Sequence, residues 1–586
     1  MLLRECPVKL IAMRKTAAAA ITMFIGLFQL QAQDTIPHLS GKIDISIARG
    51  TMECDLVLSN IPRIDDYYIR LNSGMNIRYI KNANGLKPLR YNKSRNDTLS
   101  SGESSAYILP AFNDMQKFLP HAIRFSYVGM YPVIRDTTAV EDWKGNIAFN
   151  GVSIRTDGTQ SAWYPILYDI KKDLTYDKVT YDIEVNCSDC KVIYVNGSEP
   201  VEGTHAVVKS AQPKDLTMFS GDFTAAAVNG TWFLNSGMTD DQLRSFEESI
   251  HRFKTYYESH LGIPYRGNAV YVQTSPVSKH NSWLFATYPT IVNIGFEENA
   301  LKTFLDKKKG DGFKPYLAHE LAHYYFGAAR RFNSPLGDMI SEGFAEFLSL
   351  RITRNLISDS LFRAKLAAKF RSMSNFSPIP FARVRSQSDY LDRELYVYYY
   401  APLIFVAIEK EIGEERMWEW TRSVLQTRAV FTDYQFLEKA LNNVLKDEAM
   451  FNRIRSKYFS SDSVMANLAS TLNLSLPGGS PSASASPEQP VDTYYFFFSN
   501  PAVDAGSPEN RMVRHTQIGK ITGTRADVSK LAESTFPRLT QACGNMGGCS
   551  TNFNTYPSLE LAKAGLQRWL KPYVGNPAFE IKPLDF

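Results

Sequence analysis

No dense block of lysine or arginine occurs in the 586 residues, and 65 basic against 60 acidic side chains leave a formal charge of only +5. A chain of this size that gripped nucleic acid would carry a basic stripe, so that class of partner has no support. Long apolar runs are equally scarce. One lies near the N-terminus, and beyond it no segment is long enough to span a bilayer. Cysteine is rare too: six residues, the first at position 6, cannot build a disulfide-dense scaffold. There is no internal repeat. What is present is ordinary for globular domains, with 44% hydrophobic and 21% charged residues. The length exceeds what one core can hold and implies about three domains.

The one N-terminal apolar run, M-R-K-T-A-A-A-A-I-T-M-F-I-G-L-F-Q-L-Q-A-Q at 13–33, has a basic start, a short hydrophobic stretch and the small residue Ala32 before a polar sequence. That order is a signal peptide, residues 1–33, with cleavage expected near Ala32 or Gln33 and Met13 the better start. No cysteine follows it directly, so a lipid anchor is not expected. The mature protein should be exported, to the periplasm or beyond, with no membrane span. Cys187 and Cys190 lie between two strand-like runs, where a structural pair or two free thiols is favoured over a redox or zinc role. Cys543 and Cys549 are placed to close a glycine-rich loop, which leaves Cys54 over.

From 34 to 235 short alternating runs broken by Gly, Asn, Asp and Pro predict an antiparallel β domain. Helical periodicity begins at Asp240 after the N-cap residue Thr239 and stops at Gly262. Strands are expected at 269–273 and 290–294, then mostly helix to about 474. Residues 236–476 thus read as a largely helical domain of α+β class. The Pro-, Ser- and Ala-rich stretch 477–490 is a linker that cannot pack a core. Residues 491–586 read as a small α+β domain without nameable chemistry.

The segment H-E-L-A-H at 319–323 carries the chemistry. Residues four apart share a helix face, so His319 and His323 can present two imidazoles to one ion with Glu320 beside them. Pro315 suits the first turn of that helix and Gly327 its end. The bland alternative is a solvated helix with satisfied histidines. Against it, a hydrolytic zinc needs a third protein ligand and an open position, and Glu342 stands on a second helical segment after an eighteen-residue gap. Phe344 and Phe347 give that segment an apolar face to bury against Tyr324, Tyr325 and Phe326.

H-E-L-A-H-Y-Y-F-G at 319–327 with S-E-G-F-A-E-F at 341–347 resembles the aminopeptidase N family of gluzincin metallopeptidases, the eighteen-residue gap included. W-Y-P-I-L-Y-D at 163–169, M-F-S-G-D-F at 218–223 and L-G-I-P-Y at 261–265 look like further segments of that family. The resemblance implies a saddle-like β domain over 34–235 and a thermolysin-like catalytic domain over 236–476. It implies one Zn2+ per chain on His319, His323 and Glu342, with Glu320 as general base towards a zinc-bound water and a peptide or protein as substrate. The family's oxyanion donor is a tyrosine, and Tyr398 takes that place, although Tyr400 and Ala401 replace the motif's Lys and Gly; Tyr396 and Tyr399 are rivals. Glu346 could orient a zinc-binding histidine or be a solvent-facing acid. The family's G-x-M-E-N, whose glutamate binds a free α-amine, has no clear counterpart. Residues 281–288 hold no acid; Glu298 of G-F-E-E-N has the right pattern but stands only 21 residues before His319, where a loop acid is favoured over an amine anchor, and 290–295 reads as the edge strand itself. An exported zinc metallopeptidase, acting as aminopeptidase or endopeptidase, is therefore expected. A catalytically weak gluzincin-like binding protein is the alternative.

Overall fold

The computed structural model describes residues 35–475, apart from 95–102, 111–117 and positions 268, 275, 276, 280, 296 and 375, and beyond 490 chiefly 491–499, 512–523 and 551–584. The leader, the linker and the Cys543–Cys549 loop lie outside the described residues. The chain divides into a compact unit ending at Gly478 and a second one from Gly479. None of the described helices is long and apolar enough to cross a membrane.

Period-two burial builds the N-terminal part. Alternate residues of Thr51–Ser59 and Val179–Cys187 are buried, so one face of each strand seals a core. These strands belong to a six-stranded sheet in the order His205–Lys214, Val179–Cys187, His38–Ser46, Thr51–Ser59, Ile123–Met130, Met75–Asn82. Its pairs are antiparallel except one, in which His38–Ser46 runs parallel to Val179–Cys187. The expected all-antiparallel domain is corrected there: the later strand returns after a long run of intervening strands, not by a hairpin. The W-Y-P segment clasps this part together. Trp163 is fully buried and donates Nε1 to the Leu216 carbonyl, and Tyr164 donates its hydroxyl to the Asp177 carbonyl at 2.7 Å. Cys187 and Cys190 form a disulfide, and Cys54 is buried and free.

A third five-stranded sheet begins the helical part. It comprises β1 (Ala225–Val228), β2 (Thr231–Leu234), β3 (Val270–Gln273), β4 (Trp283–Thr287) and β5 (Thr290–Ile294), ordered β1-β2-β3-β5-β4. The boundary read at 235 cuts across it, because β1 and β2 pair onward to β3. The edge strand is β4, not residues 290–295 as read from sequence. β5 is flanked on both sides, by β3 and by β4, while β4 pairs only with β5.

Helix α1 (Asp240–Leu261) has the boundaries that its caps dictate. Thr239 and Gln242 form a capping box, and Gly262 closes the helix at φ +66°. Next come α2 (Gly310–Ala322), α3 (Gly337–Ile352), α4 (Asp359–Ser372), a π-helical turn at Leu395–Tyr400 and α5 (Ala401–Ile412), with helices continuing to Leu472. The start of α2 corrects the reading of Pro315. The helix opens at Gly310, so the proline sits inside it rather than in its first turn. Its missing N–H costs one helical bond there, while its carbonyl accepts from Ser349 Oγ at 2.6 Å, tying α2 to α3. Gly327 does not end the helix; α2 stops at Ala322 with His323 as its C-cap.

In the second unit Val491–Ser499 pairs with Gly519–Gly523, Met512–Thr516 and Thr551–Tyr556, and Glu580–Leu584 runs parallel to Met512–Thr516. Met512–Thr516 and Gly519–Gly523 are separate strands. A helix spans Leu559–Leu570.

Candidate metal centre

Helix α2 and helix α3 pack with their histidines and acids facing. Gly343 permits the close approach of α3 to α5: a Cβ there would stand 2.9 Å from the Ala401 Cβ and 3.1 Å from the Phe405 ring. Phe344 then stacks on Phe326 and Phe405 with centroids 4.8 and 4.2 Å away. The Tyr257 hydroxyl donates to the Ala318 carbonyl at 2.9 Å, and this holds α2 against α1.

That packing converges three ligand atoms. His319 Nε2 and His323 Nε2 are 3.1 Å apart, and Glu342 Oε2 is 3.3 Å from the first and 3.2 Å from the second. A tetrahedral cation with bonds of about 2.0 Å sets its ligands about 3.3 Å apart. The donor set and its spacing therefore fit zinc. Each ring is also turned by its other nitrogen. His323 Nδ1 faces the Phe326 carbonyl at 3.0 Å, which also accepts from Ser341 Oγ at 2.8 Å. His319 Nδ1 faces Glu346 Oε2 at 2.9 Å. With protons on both Nδ1 atoms, both Nε2 lone pairs point at the common centre.

Glu346 is thus the histidine-orienting acid and not a solvent-facing one. Its other oxygen pairs with Lys369 Nζ of α4 at 2.7 Å, and the same ammonium donates to the Tyr398 carbonyl at 2.8 Å. Lys369 was missed in the sequence, where nothing marks a lysine on a later helix. Burial alone would lower the pKa of His319, but its hydrogen bonds to Glu342 and Glu346 outweigh that and lift it to about 10. Burial would likewise raise Glu342, yet His323 and His319 hold it well below the usual carboxylate range. The histidines and acids form one cation-seeking cluster.

Glu320 is 9% exposed and lines two cavities that share His319, one of about 420 Å3 and one of about 650 Å3. Tyr398 lines both as well, with its ring 5.7 Å from that of His319. Arg393 lies over that ring at 5.6 Å, grips Asp338 at 2.8 and 2.7 Å, and reaches Glu342 Oε1 at 3.4 Å. Of the rivals, Tyr396 is fully buried with its hydroxyl on the Ile379 carbonyl at 2.8 Å, and Tyr399 lines only the larger cavity. The side chain of Glu298 lies outside what is described. β4 forms the opposite wall and contributes no acid. The smaller cavity is completed by Lys144, Asp177, Lys178, Lys214 and Asp215 of the N-terminal part, a contribution that sequence reading did not anticipate.

No family model matches the chain, and no curated protein matches it. Among solved structures it is similar to native leukotriene A4 hydrolase from Saccharomyces cerevisiae, at 12% identity and a TM-score of 0.53 over 72% of this chain and 66% of that one. It is also similar to a mutant M1 zinc metallopeptidase from Deinococcus radiodurans bound to a Tyr-Ser-Ala substrate, at 14% identity and a TM-score of 0.49 over 72% of this chain and 93% of that one. Over that span the chain shares its fold with part of leukotriene A4 hydrolase; its own β-rich N-terminal part is followed by a mainly helical one.

Proposed function

We propose that the protein is an exported zinc metallopeptidase that hydrolyses peptide bonds in the cleft between β4 and α2. The observation that carries this reading is the 3.1–3.3 Å spacing of the two Nε2 atoms and Glu342 Oε2, with Glu320 beside them on a cavity wall. Zinc, when bound, supplies a Lewis acid that acidifies water and polarises a carbonyl. Glu320 takes the proton of the attacking water and returns it to the leaving nitrogen as the C–N bond breaks. The Tyr398 hydroxyl donates to the oxygen that gains charge. Glu346 and the Phe326 carbonyl keep the imidazoles in register. The Cys187–Cys190 disulfide fits the oxidising compartment to which the leader would deliver the chain.

The test is to incubate the zinc-loaded mature protein with a peptide library, half of it N-acetylated, and to map products by mass spectrometry. Glu320→Gln should keep zinc and lose cleavage. Loss of single residues from free N-termini alone would define an aminopeptidase, and internal cuts in both halves an endopeptidase. An untouched library would refute the peptidase reading and favour a binding protein.

A further inference from the structure

Resting on that peptidase reading, we propose that the arm of the cleft lined by Lys144, Lys178 and Lys214 receives a carboxylate side chain of the peptide substrate, so that an aspartate or glutamate, not a free α-ammonium, is selected there. The arm is the cavity of about 420 Å3 that these lysines share with β4, His319, Glu320 and Glu342.

Its charge balance carries the inference. Two acids of the N-terminal part line the arm, and both are engaged. Asp177 pairs with Arg331. Asp215 Oδ1 accepts the Thr159 backbone N–H at 2.7 Å and the Thr159 hydroxyl at 2.9 Å, with the Tyr164 hydroxyl 3.1 Å away. β4 reads W-L-F-A-T and supplies no acid to hold an ammonium.

The cations are differently placed. Among the described residues no carboxylate forms an ion pair with Lys144 or Lys214. Their ammonium groups sit over the Phe285 and Tyr288 rings, at 5.3 and 4.5 Å, on the arm's own wall. Lys178 Nζ donates to the Gly327 and Ala328 carbonyls at 3.1 and 3.0 Å. That uses two of its three hydrogens. Burial, then the Arg331 charge, pushes Lys178 down to about 8, and burial lowers Lys214 as well. An incoming carboxylate supplies the ion-pair partner that Lys144 and Lys214 lack, whereas an ammonium there would meet two like charges.

The experiment walks one glutamate along an otherwise neutral N-acetylated peptide, with glutamine and lysine series as controls. Hydrolysis is measured with the zinc-loaded enzyme, and binding by calorimetry with zinc-loaded Glu320→Gln. At one position glutamate should bind about ten-fold tighter than glutamine, with the gain in KM rather than kcat. Lys214→Glu, and independently the more exposed Lys144→Glu, should reverse the order in favour of lysine at that same position. Equal binding of the glutamate and glutamine series throughout, or a preference for lysine in the parent protein, would overturn the proposal even if the neutral peptide is cut. Selective binding without hydrolysis by the parent enzyme would uphold the anionic arm and sink the peptidase reading instead.

Discussion

Replacing Glu346 by alanine removes the acceptor that holds His319 Nδ1 at 2.9 Å and strips Lys369, 12% exposed, of its partner at 2.7 Å. Two consequences separate cleanly. Without its acceptor the His319 ring can turn or move its proton to Nε2, the atom that must stay bare for the metal. Loss of such a partner weakens metal binding about 10- to 100-fold, or about 1.4–2.7 kcal/mol. The stranded ammonium is a second cost, on the order of 3 kcal/mol of folding stability, eased by the Tyr398 carbonyl that Lys369 retains at 2.8 Å. Glu346→Gln keeps an acceptor for the ring but no charge for the lysine. It should therefore lose stability like the alanine variant and lose less zinc affinity. The assay is competitive zinc titration against a chelator of known affinity, with thermal unfolding of the metal-free proteins alongside. If Glu346→Ala bound zinc within two-fold of the parent while unfolding earlier, the acid would be a structural partner of Lys369 and its role at the metal refuted.

Tyr398→Phe should lower kcat by about 10²- to 10³-fold with little change in KM, as loss of an oxyanion donor does; steady-state kinetics on one peptide suffices. A loss under ten-fold would move that role to another donor, Arg393 being nearest to the triad's acid at 3.4 Å. Asp215 offers a pH test. Burial, then Asp177, raises its carboxyl from 3.8 to about 6. The folded chain thus holds this proton more tightly than the unfolded one. The resulting stabilisation is fully present below about pH 4 and is lost as the pH rises through 6, amounting to at most ~3 kcal/mol. Urea unfolding of the parent and of Asp215→Asn from pH 4 to 8 should show the parent losing ground over that window, and a constant gap would refute the shift.

The parts of this fold that are legible in the sequence are those specified by near neighbours. The ends of α1 follow from Thr239, Gln242 and Gly262, each acting within one turn. His319 and His323 follow from helical spacing. The misread edge shows where that logic stops. β4 is W-L-F-A-T, apolar without clean alternation, and a Tyr-Pro pair separates it from β5, so no local signal marks it as the strand facing the cleft. The parallel pair His38–Ser46 with Val179–Cys187 has no local signature either, since it joins residues as far apart in the chain as His38 and Thr180.

The chain's tyrosine run makes the same point at the site itself. Spacing alone cannot choose among Tyr396, Tyr398, Tyr399 and Tyr400, because a regular helix fans them over most of its circumference. The π-helical turn Leu395–Tyr400 changes that fan by using i→i+5 bonds. Tyr396 and Tyr400 go fully into the core and Tyr398 meets His319. Lysines 144, 178 and 214 are further out of reach: three unremarkable surface-type residues on separate strands and loops become one charged wall only when the β part closes against α2. The proposed metal ligands and Glu320 are therefore written locally, on two helices, whereas Tyr398 and the lysines proposed to face the substrate are placed by the fold of the first unit. A reading of motifs can name a reaction class here, but the charges proposed to select the substrate belong to no motif.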